Sequence, residues 1–282
     1  MRLLLILSLP FLAWASWDGS AEAQGIPAKP HGRMEQMRPD DLEEVLKRAP
    51  AAFVPLGTFE HHGFHLPVCF DGIKAHALCI KVSEKTGGAV LPTFFYGTGG
   101  GHIGYKWTNI VAEEQIVPLL SGTLDFLARQ GFRVIVLLTG HYPGEQTRMV
   151  KRLVQEAGQR HPQVKFLGLA EPEITTPLPG DKSSGDHAAK YETSIALALH
   201  PDWVRLDKLV EGRDPDGITL PETPRKEGTP YDPRHPLYAI HGQDPRTAAS
   251  RETGEKLVQE IVRRLARLVE EALQSPAPAA AR

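Results

Sequence analysis

Short apolar runs alternate along this chain with longer segments of helical periodicity, and this order restricts the fold more than any other feature. Each apolar run is bounded by Gly, Pro or charged residues, as buried strands are; the runs are 52–56, 89–95, 134–138 and 164–169. Helical spacing of apolar residues recurs in 41–48, 73–85, 113–130, 145–160, 192–199 and 253–273. Because such alternation is typical of βαβ units, the sequence predicts a three-layer α/β/α fold with a mostly parallel central sheet.

Composition and charge narrow the classes of partner. The chain has 282 residues, of which 41% are apolar and 23% charged, which is enough apolar material for a substantial core. Its net charge of −2 gives no electrostatic reason to expect nucleic acid or an anionic membrane as a partner. We therefore expect a small-molecule substrate. The last residues, SPAPAAAR at 275–282, are of low complexity and predict a disordered tail.

The first residues have the pattern of a secretory signal peptide. Arg2 precedes about a dozen apolar positions, and the Ala-Glu-Ala sequence at 21–23 is a small-x-small cleavage site. The apolar run is too short to span about 30 Å of hydrocarbon, and Pro10 interrupts it. The sequence predicts a signal peptide over residues 1–23 and an exported protein, periplasmic or secreted, with no membrane segment after cleavage. An uncleaved anchor and cleavage near 13–15 are the alternatives.

Side chains that bind metals follow the predicted strands. Ligand sites of parallel sheets lie beyond the carboxyl ends of the strands, so we expect these side chains to converge there. They are Glu60 and His62 after the first strand, Asp71 shortly afterwards, His141 after the third strand, and His187 and Glu192 near the head of a later helix. Nitrogen and oxygen donors without thiolate suit a hard-to-borderline divalent metal.

Local geometry refines this prediction. Glu60 and His62 lie on the same side of an extended chain, because side chains repeat every second residue. Asp71 has two oxygens and can bridge two metals about 3.5–4 Å apart. His61 would point the other way, which favours a structural role. The segment 99–104 formally spells G-x-G-x-x-G, but no helix starts directly after it, so we expect no dinucleotide cofactor.

Cys69 and Cys79 are the only cysteines, and an exported protein can pair them. If Asp71 caps a helix over 73–85, Cys79 lies well inside that helix while Cys69 precedes it. A disulfide needs Cα atoms within about 7 Å, so two small buried residues are favoured over a disulfide.

Several blocks of the sequence resemble the creatininase (creatinine amidohydrolase) family. The most specific block is Pro-x-Gly-x-x-Glu-x-His-Gly-x-His-Leu-Pro at 55–67, followed by Asp71. Further blocks come in the same order: Tyr96-Gly97 with His102, the segment 131–141 that ends in Gly140-His141, His187-Ala188 with Glu192-Thr193-Ser194, and the stretch 242–254. The resemblance implies a metal-dependent hydrolase domain, here residues 24–274, with one or two zinc, manganese or iron ions per subunit. It also implies a homo-oligomer, commonly a hexamer.

The resemblance assigns roles to individual residues. The implied metal ligands are Glu60, His62, Asp71, His141 and Glu192, the last either as a ligand or as a carboxylate beside the metal. The implied catalytic residues are His187, as the acid that protonates the leaving nitrogen, and Glu192. Substrate contacts are expected from His102, Trp107 and Tyr142, and the Pro- and Gly-rich segment 211–243 is expected to be a surface excursion or lid.

One departure from the family pattern bears on the number of metals. Two residues after His141, where a ligating Glu can stand, this chain has Pro143, which offers no side-chain ligand. Either Glu192 completes a second metal site or only one metal binds tightly.

The function predicted from these residues is hydrolysis of an amide or cyclic amide C–N bond by metal-activated water. A lactone or ester hydrolase on the same metal centre is the first alternative, because both reactions need the same activated water. A non-catalytic exported binding protein that has kept the fold is the second.

Overall fold

Five parallel strands form the central sheet in a computed structural model that describes residues 29–182, 184–213 and 226–275. The strands are β1 (His31–Arg33), β2 (Ala51–Leu56), β3 (Gly88–Val90), β4 (Val134–Thr139) and β5 (Lys165–Ala170), in the spatial order β1-β3-β2-β4-β5. The register pairs Leu56 with Thr139, so that β2 and β4 end at the same edge. Residues that follow these two strands therefore start from neighbouring positions.

Helices cover both faces of the sheet. They are α1 (Pro39–Arg48), α2 (Phe70–Thr86), α3 (Glu113–Gln130), α4 (Gly144–Arg160), α5 (Lys190–Leu199), α6 (Pro245–Ala248) and α7 (Arg251–Gln274). Alternate residues of β2 point to opposite faces: Phe53 joins the core under α2, α5 and α7, whereas Val54 joins the core under α1, α3 and α4. This arrangement confirms the predicted three-layer α/β/α fold with a parallel sheet.

Two strands differ from the sequence prediction. The predicted run 89–95 is a strand only as far as Val90. Pro92 follows soon afterwards and has no N–H to give to the ladder, although Phe94 N–H still bonds to Pro55 O at 3.0 Å. The edge strand β1 was not predicted, because the sequence His-Gly-Arg contains no apolar run.

The start of α2 also differs from the prediction. The expectation that Asp71 caps a helix from 73 is wrong, because α2 begins at Phe70 with Cys69 as its N-cap residue. Asp71 lies in the first turn, and its side chain is buried. Cys69 and Cys79 are both free thiols; Cys79 is buried as predicted, whereas Cys69 is only partly buried.

Parts of the predictions lie outside the described residues. The predicted signal peptide, residues 1–23, is one of them. Ser275, predicted as the first residue of the tail, is the C-cap residue of α7, and 276–282 are not described. The segment 211–243 is described except for 214–225. Among the helices that the structure describes, none combines the length and hydropathy that a membrane crossing needs.

Candidate metal centre

Two glycines let the start of α2 approach the ends of β2 and β4. Gly57 follows β2, and a Cβ added to it would lie 2.0 Å from Gly72 N. Gly140 follows β4, and a Cβ there would lie 2.2 Å from Asp71 O. No residue with a side chain fits at either position without displacing backbone. This close approach carries the Asp71 carboxylate to the edge where the predicted ligands of β2 and β4 begin.

The structure brings all five predicted metal ligands together in buried positions. Their donor atoms form overlapping groups whose members lie within 4.8 Å of one another. One group is Glu60, Asp71 and His141; a second is His62, Asp71 and Glu192; a third is Glu60, His62 and His187. Asp71 belongs to the first two groups and turns one oxygen to each: Oδ1 lies 3.1 Å from His62 Nε2 and Oδ2 lies 3.2 Å from His141 Nδ1. This is the geometry of a bridging carboxylate.

Backbone carbonyls orient the imidazoles. A carbonyl oxygen only accepts hydrogen bonds, so the ring nitrogen that faces it carries the hydrogen. His62 Nδ1 donates to Glu60 O at 2.9 Å, and His141 Nε2 donates to Gly99 O at 3.3 Å. The other nitrogen of each ring faces carboxylate oxygens, at 3.1 Å for His62 and 2.9 Å for His141. Fixing one nitrogen in this way is how proteins present the other to a metal.

The carboxylates strongly attract positive charge. Burial alone would lower the pKa of His62, but Asp71 and Glu192 outweigh it and raise that pKa to about 10. For His141, burial is likewise outweighed by Asp71 and Glu60, and its pKa is raised to about 10. Burial alone would raise the pKa of Asp71, but the charge of His62 and the two imidazoles that face its oxygens outweigh it and lower that pKa to about 2. Metal ions replace such protons when they bind.

One buried oxygen supports the fit to a cation directly. Asp71 Oδ2 accepts no hydrogen bond of good geometry within the described part of the chain, although His141 Nδ1 lies 3.2 Å away. It faces Glu60 and His141, the other members of its group. The donor set of carboxylate oxygens and imidazole nitrogens therefore fits a divalent ion.

Sequence reasoning missed a buried lysine beside these ligands. Lys74 lies in α2 and is fully buried; its Nζ is 2.7 Å from Glu192 Oε1 and 3.0 Å from Glu171 Oε2. Burial would lower the pKa of Lys74, but the two carboxylates outweigh it and raise that pKa above its ordinary value. Tyr142 OH also donates to Glu192 Oε1, at 3.0 Å. Lys74 stands one helical turn after Asp71, which is the signal that could have placed it at this site.

His187 and His102 form the wall opposite the carboxylates. His187 Nε2 donates to His61 O at 2.9 Å, so its Nδ1 is the free nitrogen, 3.9 Å from Glu60 Oε1. The His102 ring stacks on His187 with centroids 3.9 Å apart, and His102 Nδ1 lies 2.6 Å from Glu60 Oε1. The backbone of His187 exchanges two hydrogen bonds with His241, a residue of the 211–243 segment that sequence reasoning did not select.

The cavity in front of these residues holds about 310 Å³, which is near the lower limit for small-molecule sites. His102 and Tyr142 line it, together with Gly100, Gly101, Pro143 and His241. Pro143 contributes only its ring. The cavity is thus matched to a small substrate or a short group of a larger one.

Two other predicted residues lie away from this cavity. Trp107 was expected to contact substrate, but its side chain is 66% exposed, its backbone has φ 71°, and it is not among the residues that line the cavity. A substrate contact by Trp107 therefore stays a prediction. His61 packs between Phe64, Tyr105 and Tyr238, in agreement with the structural role predicted for it. Burial, with the charges of His62 and His102, lowers the pKa of His61 to about 4.

Known proteins resemble this chain over most of its length. The family model described as Creatininase: Creatinine amidohydrolase matches residues 35–269. The creatinine amidohydrolase of Pseudomonas putida is 29% identical over 241 residues, which cover 77% of this chain and 88% of that protein. The mycofactocin precursor peptide peptidase of Mycolicibacterium smegmatis is 28% identical and covers 76% of this chain and 81% of that protein.

The fold of this chain is also similar to solved structures. A manganese form of creatininase matches with a TM-score of 0.69 and 25% identity, covering 87% of this chain and all of that chain. A mutant creatininase of the Zn-Zn type matches with a TM-score of 0.69 and 25% identity, covering 86% of this chain and 98% of that chain. Because the family model spans most of its length, the chain belongs to the creatininase (creatinine amidohydrolase) family.

Proposed function

We propose that this chain hydrolyses an amide or cyclic amide C–N bond of a small molecule with the help of one or two divalent ions, zinc or manganese, with iron as a further candidate. Family membership makes it a hydrolase that acts on C–N bonds. The observation that carries the metal dependence is Asp71, whose two oxygens each face a different set of buried ligands. The relatives named for zinc and manganese support the choice of ion.

The second part of this proposal concerns the class of substrate. Creatinine is the substrate named for one relative and a precursor peptide for another, so the shared element is an amide carbonyl bonded to nitrogen. The cavity of about 310 Å³ supports a substrate that is small or that enters by one end.

The ligands divide into two sets that share Asp71. Glu60 and His141 would complete one, and His62 and Glu192 the other. A divalent ion bound there lowers the pKa of a water molecule toward neutrality and polarises the carbonyl oxygen of the substrate. The chain holds these ligands in place before substrate arrives, because the rings are fixed by carbonyls and the carboxylates by imidazoles.

His187 moves the proton in this proposal. Its Nε2 is held by His61 O, so only Nδ1 faces the cavity. Burial, together with the charge of His62, holds the pKa of His187 well below its ordinary value, so Nδ1 carries no proton at rest. In this proposal Nδ1 takes the proton that the water loses. The same atom then gives that proton to the leaving nitrogen.

Metal removal and restoration test the proposed function. Protein treated with a chelator should lose hydrolysis of a panel of amides, cyclic ureides and lactams, and zinc or manganese should restore it. Product release would be followed for each compound, with lactones in the same panel. Faster cleavage of lactones than of every amide would favour the ester hydrolase instead, and metal binding without turnover would favour a binding protein.

Export and assembly are part of the proposal as well. The Arg2 and apolar pattern of residues 1–23 supports a cleaved signal peptide, and the family supports a homo-oligomer. The intact mass of the protein recovered from culture shows whether the signal peptide is cleaved. Light scattering gives the mass of the assembly. A retained residue 1 or a monomer would count against them.

A further inference from the structure

Lys74 places a permanent positive charge at one of the two ligand sets. The ammonium is fully buried, in contact with Glu171 and Glu192, and lies 4.8 Å from the centre of the Tyr142 ring. A buried ammonium is stable only when carboxylates compensate it. Glu171 is one of these carboxylates and belongs to none of the ligand sets. Lys74 therefore still has a carboxylate partner if Glu192 binds a metal.

Glu192 is already occupied by hydrogen-bond donors. Its Oε1 accepts from Lys74 at 2.7 Å and from Tyr142 at 3.0 Å. Its Oε2 accepts from Ala188 N–H at 2.7 Å and lies 3.4 Å from His62 Nε2. Only Oε2 faces another residue of the second ligand set, His62, and this oxygen also accepts the hydrogen bond from Ala188 N–H. Glu192 therefore offers a cation at most part of its charge.

The first set has no such competitor. Within residues 29–182, 184–213 and 226–275, no lysine or arginine forms an ion pair with Glu60 or Asp71; their partners are imidazoles. An imidazole nitrogen can itself bind a metal, whereas the ammonium of Lys74 has only donors and no lone pair to offer. Pro143, two residues after His141, lines the cavity and offers no side-chain ligand to either set.

We propose that Lys74 is a built-in cation that keeps Glu192 from completing the second site, so that the chain holds one divalent ion tightly on Glu60, Asp71 and His141 and a second ion weakly. This inference rests on the proposed function. It assigns Lys74 and Glu171 as positioning residues that set how many metals bind.

A charge-neutral pair of substitutions isolates the effect of Lys74. In the double variant Lys74→Met with Glu171→Gln, one positive and one negative charge are removed, so the net charge of the cluster is that of the natural chain. Glu192 Oε1 then loses its ammonium partner. We expect the second manganese ion to bind about tenfold more tightly, or better, than in the natural chain, with the first ion little changed.

The matched control is Glu171→Gln alone. Lys74 remains and has only Glu192 as partner, so the second ion should bind more weakly relative to the first than in the natural chain. In this variant the ammonium still has a carboxylate partner. If the double variant fails to fold, the affinity of this variant for the second ion tests the inference. Thermal unfolding of each protein, with and without manganese, shows which variants are folded.

Manganese alone is the probe. Metal-free protein is dialysed against buffered Mn²⁺ at increasing concentration, bound metal is counted, and electron paramagnetic resonance separates isolated ions from coupled pairs. The natural chain should show one isolated ion where the double variant shows a coupled pair. Equal affinity for two ions in the natural chain, or unchanged second-site affinity in the variants, overturns the inference while leaving the proposed function intact. No metal binding at all would instead refute the proposed function.

Discussion

Replacing Asp71 with alanine should remove bound metal and lower kcat/KM by about a thousandfold or more, equivalent to about 4 kcal/mol of transition-state stabilisation. Asp71 is the one side chain that belongs to both principal ligand sets, with Oδ1 toward His62 and Oδ2 toward His141. Its loss therefore takes a ligand from each set at once, whereas loss of Glu60 or Glu192 takes a ligand from only one of these two.

The test compares metal content and turnover in the same preparations. Asp71→Asn keeps the size of the side chain but not its charge, so it separates ligation from packing. Glu84→Gln is the matched control, because Glu84 is a carboxylate on the same helix whose side chain is exposed. The control should keep both metal and activity. Full metal content and activity in Asp71→Ala would refute the bridging role.

The fold was predictable because its signals are local. β2 and β4 are continuous apolar runs, and β4 was predicted to within one residue of its observed end, Thr139. Where a local signal was weak, the prediction failed: β1 has no apolar run, and β3 ends early because Pro92 follows it. The rule that ligands lie beyond the carboxyl ends of parallel strands then selected the residues that gather at the site.

The parts of the site that escaped prediction depend on contacts distant in sequence. Lys74 meets Glu192 across 118 positions, and its place one helical turn after Asp71 does not by itself show that the ammonium is buried. His241 reaches the cavity only because its backbone pairs with His187. The substrate contact expected of Trp107 stays a prediction, for a residue with a left-handed backbone and a mostly exposed ring.

His187→Asn should lower kcat by about a hundredfold to ten-thousandfold while metal content stays that of the natural chain. Three contacts fix the ring in place: Nε2 is held by His61 O, one face stacks on His102, and the backbone is paired with His241. Nδ1 is left facing the cavity, 3.9 Å from Glu60 Oε1. A group that acts only as the bond to nitrogen breaks affects kcat more than KM.

Three outcomes of the His187→Asn experiment distinguish the possible roles of His187. Reduced kcat with metal retained supports proton transfer, and the loss should be smaller for substrates whose leaving group needs no proton, because the donor is then dispensable. Loss of metal would make His187 a ligand, since it also groups with Glu60 and His62. Normal turnover would move the proton donor elsewhere, with His102 as the next imidazole on the cavity wall. His161→Asn is the control, because His161 pairs with Asp125 away from the cavity and its loss should leave kcat unchanged.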